Sequence, residues 1–121
     1  MNIFYSKLAE KDIDDLFYLI TEEYKSPLTA ARYIQGIYDE INMLSTQAHI
    51  HKIETDPFYR QFGFAVRRIN YKKMAILYSV IEYNVPYSFV WVYRVMAASL
   101  ITMKSVTLYV PKISQKNGLK K

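Results

Sequence analysis

The sequence predicts an α+β domain in which an N-terminal strand and an antiparallel helical hairpin pack on one face of an antiparallel β-sheet, in the order β-α-α-β-β-β. Three observations carry this. Two successive segments before residue 47 repeat apolar residues every three or four positions, the period of a half-buried helix. Three segments after Pro57 alternate in polarity and are rich in Val, Tyr and Phe, as strands are. The links within each group are short, which makes chain neighbours antiparallel.

Residues 2–5, NIFY, form the first strand, and Ser6 is placed to cap the helix that follows. In that helix, residues 7–24, Ala9, Ile13, Leu16, Phe17, Ile20 and Tyr24 form one stripe, and the run Asp12, Asp14, Asp15 reads as part of a solvated acidic face. Ser26-Pro27 starts a second helix, because serine accepts from orphan N–H groups and proline at the first helical position loses no bond. Ala30, Ile34, Ile37, Tyr38, Ile41 and Leu44 carry its stripe over residues 27–46. Residues 47–60 lack a period, and the proline of Asp56-Pro57 biases its predecessor away from helix, so this is a loop. Residues 63–70, 73–82 and 88–96 are the remaining strands. If Val66 and Phe64 share the helix-bearing face, Arg68 lies with them and Arg67 projects from the open face.

The chain divides into a domain at residues 1–102 and a basic extension at 103–121, where SVTLYV at 105–110 is expected to add an edge strand before a mobile tail. A chain of 121 residues is long enough to bury a core unaided. With no cysteine, disulfide frameworks and thiolate chemistry are excluded, and with no signal-like start a cytoplasmic location is expected. Residues 85–103 are the most apolar stretch, but Arg94 at their centre costs roughly 2.5–3.5 kcal/mol at mid-bilayer, so no membrane span is expected. His49, His51, Glu54 and Asp56 lie close in sequence, yet two imidazoles fall short of a zinc ligand set, so no metal and no cofactor are expected.

Charge is divided along the chain. Residues 1–56 hold ten acids against five bases, and residues 57–121 hold eleven bases against one acid, Glu82. An uncompensated basic half suits an anionic macromolecular partner rather than a small-molecule substrate. The candidate contacts are Arg60, Arg67, Arg68, Lys72, Lys73 and Arg94, with Arg94 expected to pair with Glu82 or a carboxylate of the first helix.

The element order, the opening FYSKLAEKDIDDLFYLI at 4–20 and the stretch FAVRRINYKKMAILYSVIEYNVPYSFVWVYRVMAASLI at 64–101 resemble the RelE/ParE family of bacterial toxins. Leu77-Tyr78-Ser79-Val80 and Val92-Tyr93-Arg94-Val95 carry the resemblance, which spans roughly residues 2–101. It implies a curved sheet, a cognate antitoxin as partner, and DNA gyrase or mRNA on the ribosome as target. For a ribosome-dependent endoribonuclease, the candidate catalytic groups are Arg67, Arg68 and Lys73 with Tyr93 or Tyr109. The chain departs from the nuclease pattern: Ala75 stands where the family carries an arginine two residues before Leu77, and Met96-Ala97-Ala98-Ser99 follows the last strand without one. The ending of the gyrase-directed members, a His, a Gly and basic residues after the last strand, is missing too. The absent nuclease cations favour a non-enzymatic gyrase inhibitor over an endoribonuclease. A third alternative is a member that only binds its antitoxin in a DNA-binding repressor complex.

Overall fold

The computed structural model describes residues 1–84 and 87–103; the strand expected at 105–110 and the tail lie outside the described residues. Strand β1 (Asn2–Tyr5) leads into helix α1 (Lys7–Tyr24), and helix α2 (Pro27–Asn42) is followed by the single turn α3 (Leu44–Gln47). After two 3-10 turns, Ala48–Ile50 and Pro57–Gln61, come strands β2 (Arg67–Tyr71), β3 (Met74–Asn84) and β4 (Tyr87–Ala97), then the short helix α4 (Ala98–Thr102). No helix among the described residues is long and apolar enough to cross a membrane.

The helix starts follow from local chemistry. The Ser6 hydroxyl accepts from the Ala9 N–H at 2.9 Å and the Ser26 hydroxyl from the Thr29 N–H at 3.1 Å. Between the helices Lys25 turns the chain with φ 51°. The second helix stops at Met43, short of the expected residue 46, because the chain turns there to bury Leu44.

The four strands lie in the order β1-β4-β3-β2. β2, β3 and β4 form an antiparallel meander, whereas β1 runs parallel to β4, pairing Asn2–Tyr5 with residues 89–92. The sheet is therefore mixed: the helical hairpin acts as a crossover that returns the chain to the far edge in the same direction as β1. The strand expected from residue 63 begins at Arg67, because Ala65 adopts φ 51° and breaks the extended run.

Two apolar clusters fill the two faces. On the helix-bearing face Ala9, Ile13, Ile37 and Ile41 pack on Ile69, Ile76, Tyr78, Val90, Val92 and Val95. On the other, Tyr59, Val66, Ala75, Leu77, Met96 and Ile101 close over the sheet. Val66 thus belongs to the face opposite the helices, which inverts the expected placement of the two arginines: Arg67 shares the helix-bearing side with Ile69, and Arg68 the other side with Leu77.

A bulge lies in β4. Leu77 pairs with Arg94 and Tyr78 with Val92, so Tyr93 is the extra residue. It shifts the alternation by one, so that Val95 joins Val90 and Val92 in the helix-side core and Arg94 leaves it.

Candidate functional site

β1 ends at Tyr5, opposite Val92, while β4 continues to Ala97, so among the described residues a length of β4 edge has no strand beside it. α1 covers that gap. The Ser6 N–H donates to the Val92 carbonyl at 3.0 Å and the Ser6 hydroxyl to the Tyr93 carbonyl at 2.8 Å. Asp12 then accepts the Val95 N–H at 2.9 Å, taking the bond a neighbouring strand would have taken. The same carboxylate receives Arg94 in a fork, Nε at 2.8 Å and Nη2 at 2.9 Å. Burial pushes the Asp12 carboxyl above its usual range, against the hydrogen bonds and charge of Arg94 and the Val95 N–H.

This pairing meets the expectation of a helix-one partner for Arg94; Glu82 instead lies 3.3 Å from His49. It corrects two other expectations. Asp12 is not on the solvated acidic face with Asp14 and Asp15, and Arg94, only 4% exposed, presents no charge to a macromolecule.

The other basic candidates fall into three groups. Arg67 is spent on backbone: its Nη1 donates to the carbonyls of His49 at 3.3 Å and His51 at 2.5 Å. The Tyr78 hydroxyl supports the same turn through the Ala48 carbonyl at 2.6 Å, and burial pushes this phenol up to about 12, with Arg67 pulling the other way.

Arg68, on the opposite side, is held by Asn70 Oδ1 at 2.9 Å and the Tyr59 hydroxyl at 3.1 Å. Arg60 stands exposed one residue beyond Tyr59, on the 3-10 turn that Asp56 starts by accepting the Phe58 N–H at 2.9 Å. Lys72 and Lys73 form the two-residue tip between β2 and β3. The Lys72 ammonium lies 5.6 Å from the Tyr33 ring centre and 5.5 Å from that of Tyr71, and Lys72 itself takes φ 52°.

Among the described residues no carboxylate pairs with Arg60, Arg67, Arg68, Lys72 or Lys73. Among the described residues the charge of these five side chains is therefore not balanced by a paired carboxylate. It is presented from two places, the Arg60 and Arg68 side and the Lys72-Lys73 tip, rather than one shared patch. Tyr93 is half-buried against Gly63, whose Cα leaves no room for a Cβ beside the phenol. With Arg67 and Arg68 on opposite sides of the sheet, the nuclease candidates Arg67, Arg68, Lys73 and Tyr93 do not converge, and Tyr109 lies outside the described residues. No cluster of metal ligands occurs among the described residues.

Sequence reading missed a cleft of about 550 Å³ between the bridge at Ile53 and the 3-10 turn, lined by Glu54, Thr55, Tyr59, Arg60 and Phe64. Ile53 pairs with Arg67 as an isolated bridge, and the Glu54 N–H donates to the Val66 carbonyl at 2.8 Å. Ser79, buried in β3, holds the Phe64 and Ala65 carbonyls at 2.7 and 3.2 Å. These bonds fix the backbone of both walls while leaving the Phe64 ring 87% exposed.

Among solved structures, a chain in the chromosomal ParDE TA system from P. aeruginosa is similar to this one, with a TM-score of 0.63 and 15% identity, over 80% of this chain and 95% of that chain. The two share a fold. No protein-family model and no curated protein sequence matches the chain.

Proposed function

We propose that the chain is the toxin of a type II toxin-antitoxin module, a ParE-like member that acts in the cytoplasm by binding DNA gyrase without catalysis and is neutralised by a cognate antitoxin. The likeness to a chain of a ParDE TA system supports the module, and the unpaired cations of Arg60, Arg68, Lys72 and Lys73 suit an acidic partner.

One observation carries the non-enzymatic reading. Ala75 and Ala98 occupy positions where a nuclease of this family is expected to aim cations at a phosphate; Ala75 is fully buried in an apolar cluster with Val66, Leu77 and Ile101, and Ala98 packs partly buried against it. A pentavalent phosphate needs preorganised positive charge, and hydrocarbon offers none. The endoribonuclease reading, with Arg67, Arg68, Lys73 and Tyr93 as its groups, has the weaker support because those groups do not converge.

Two measurements test the proposal together: supercoiling by purified gyrase with increasing amounts of the protein, and the response of cells to its induction. Inhibition of supercoiling with DNA-damage signalling supports it. Cleaved transcripts and halted translation with unimpaired supercoiling would replace it by the endoribonuclease. Unaltered growth would leave only the antitoxin-binding role.

A further inference from the structure

The cleft beside Arg60 has a chemical polarity that the gyrase reading does not use. One wall carries the Glu54 carboxylate, whose side chain is 17% exposed and whose nearest cation is the exposed Lys52 ammonium at 3.4 Å. Another segment of the lining carries Arg60 and Tyr59, and the Tyr59 hydroxyl accepts from Arg68 outside the cleft. Phe64 stands at the rim with its ring open to solvent. Ala65, next to it, holds φ 51°, a left-handed conformation unfavourable for a non-glycine residue and fixed here by Ser79.

A ligand matching all three features is anionic at one end, planar in the middle, and carries N–H donors at the other end. An acidic peptide fails, because Glu54 would repel it and Phe64 would have no planar partner. Among the nucleobases, adenine and cytosine present one amine beside an acceptor, and uracil presents one N–H between two carbonyls. Guanine alone sets a ring N–H beside an exocyclic amine, a donor pair that matches a carboxylate in two parallel bonds. The cleft volume lies within the range of small-ligand sites, about 300–1,000 Å³.

We propose that this cleft binds a guanine nucleotide, the base stacked on Phe64, its donor edge on the Glu54 carboxylate and its phosphate on Arg60. The site is one of binding rather than turnover, so it stands apart from the expectation that the protein has no small-molecule substrate. It does not depend on the toxin reading.

Titration calorimetry with GMP, AMP, inorganic phosphate and a single-stranded trinucleotide with one central guanine tests it on the full chain. GMP should bind about 10-fold more tightly than AMP, the factor one good bidentate contact supplies. Glu54→Gln should erase that preference, and Phe64→Ala should weaken GMP about 10-fold through lost stacking. Circular dichroism should show both variants folded, since Phe64 is exposed and Glu54 supports the fold through its backbone. Equal affinity for GMP and the trinucleotide assigns the free nucleotide, and a trinucleotide bound 10-fold more tightly assigns the same group within a strand. No binding of GMP or the trinucleotide, no preference over AMP, or phosphate alone binding as well as GMP overturns the proposal.

Discussion

Asp12→Ala removes the acceptor of three buried hydrogen bonds at once: two from Arg94 and one from the Val95 N–H. The two side chains are 6% and 5% exposed, so the guanidinium left behind has little access to water. Removing one partner of a buried pair costs about 3–5 kcal/mol, chiefly the penalty of an uncompensated charge. At about 4 °C per kcal/mol for a chain of this size, the melting temperature should fall by roughly 12–20 °C. Thermal and urea unfolding followed by circular dichroism measure the loss. Asp15→Ala is the matched control: its pair with Lys11 has the same charges at 2.9 Å but is half-exposed, and such pairs are worth about 0.3–0.5 kcal/mol. The double variant Asp12→Leu, Arg94→Met removes both charges and should recover most of the loss, because a buried pair exchanged for hydrocarbon is often neutral. If Asp12→Ala costs no more than Asp15→Ala, the carboxylate does not close the β4 edge, and the account of how α1 docks on the sheet is wrong.

Gly36→Ala should lower stability by about 1–3 kcal/mol in urea titrations even though alanine favours helix, since a Cβ there meets the Tyr71 phenol; a gain would mean that Tyr71 swings aside. Tyr5 is pushed up to about 12 by burial and then by Tyr38, and Tyr78 to about 12 by burial against Arg67. Both phenols hold their protons more tightly folded than unfolded, so their contribution to stability is full below pH 10 and is lost as pH rises through about 12. An ultraviolet titration should show at least two tyrosines, Tyr5 and Tyr78, ionising only in that window; ordinary titration of every tyrosine near 10 would contradict it. Arg67→Ala should cost about 1–3 kcal/mol by freeing the His49 and His51 carbonyls, whereas Lys73→Ala at the exposed tip should stay within about 0.5 kcal/mol. Lys73→Ala should also weaken growth arrest in induced cells, and full arrest would remove the tip from the target surface.

What was legible in the sequence was what local chemistry decides. Ser6 and Ser26-Pro27 mark helix starts wherever they occur, so the bounds of α1 and the start of α2 could be read directly. The period of two in residues 73–96 likewise identifies β3 and β4 without knowledge of their neighbours. What stayed hidden depends on tertiary placement. Asp12 looks like Asp14 and Asp15 in the chain, and only its position over the uncovered edge of β4 distinguishes it. The faces of Arg67 and Arg68 are the reverse of the expected ones because Val66, expected on the helix-bearing side, packs in the cluster on the other face, and only tertiary packing decides which. The bulge at Tyr93 leaves no mark in VWVYRVM, since it is set by pairing with β3. The cleft escaped because Glu54, Tyr59 and Phe64 come from separate short segments that share no period. Among the described residues Arg60, Arg68, Lys72 and Lys73 have no carboxylate partner, but Arg94 is paired with Asp12 and the rest divide between two places.

The position of β4 in the sheet has a consequence for biosynthesis. It is the strand that both β1 and β3 need, yet Ser6 must wait for Tyr93, 87 residues later, before their bond can form. On a ribosome adding about 5–20 residues per second, the helical hairpin spends several seconds outside the exit tunnel with its apolar stripe uncovered. Contacts that span so much chain also slow the final folding step once β4 arrives. A polypeptide halted before residue 87 would therefore lack the strand that joins β1 to β3, and quality-control proteases should remove it rather than leave a partly working fragment.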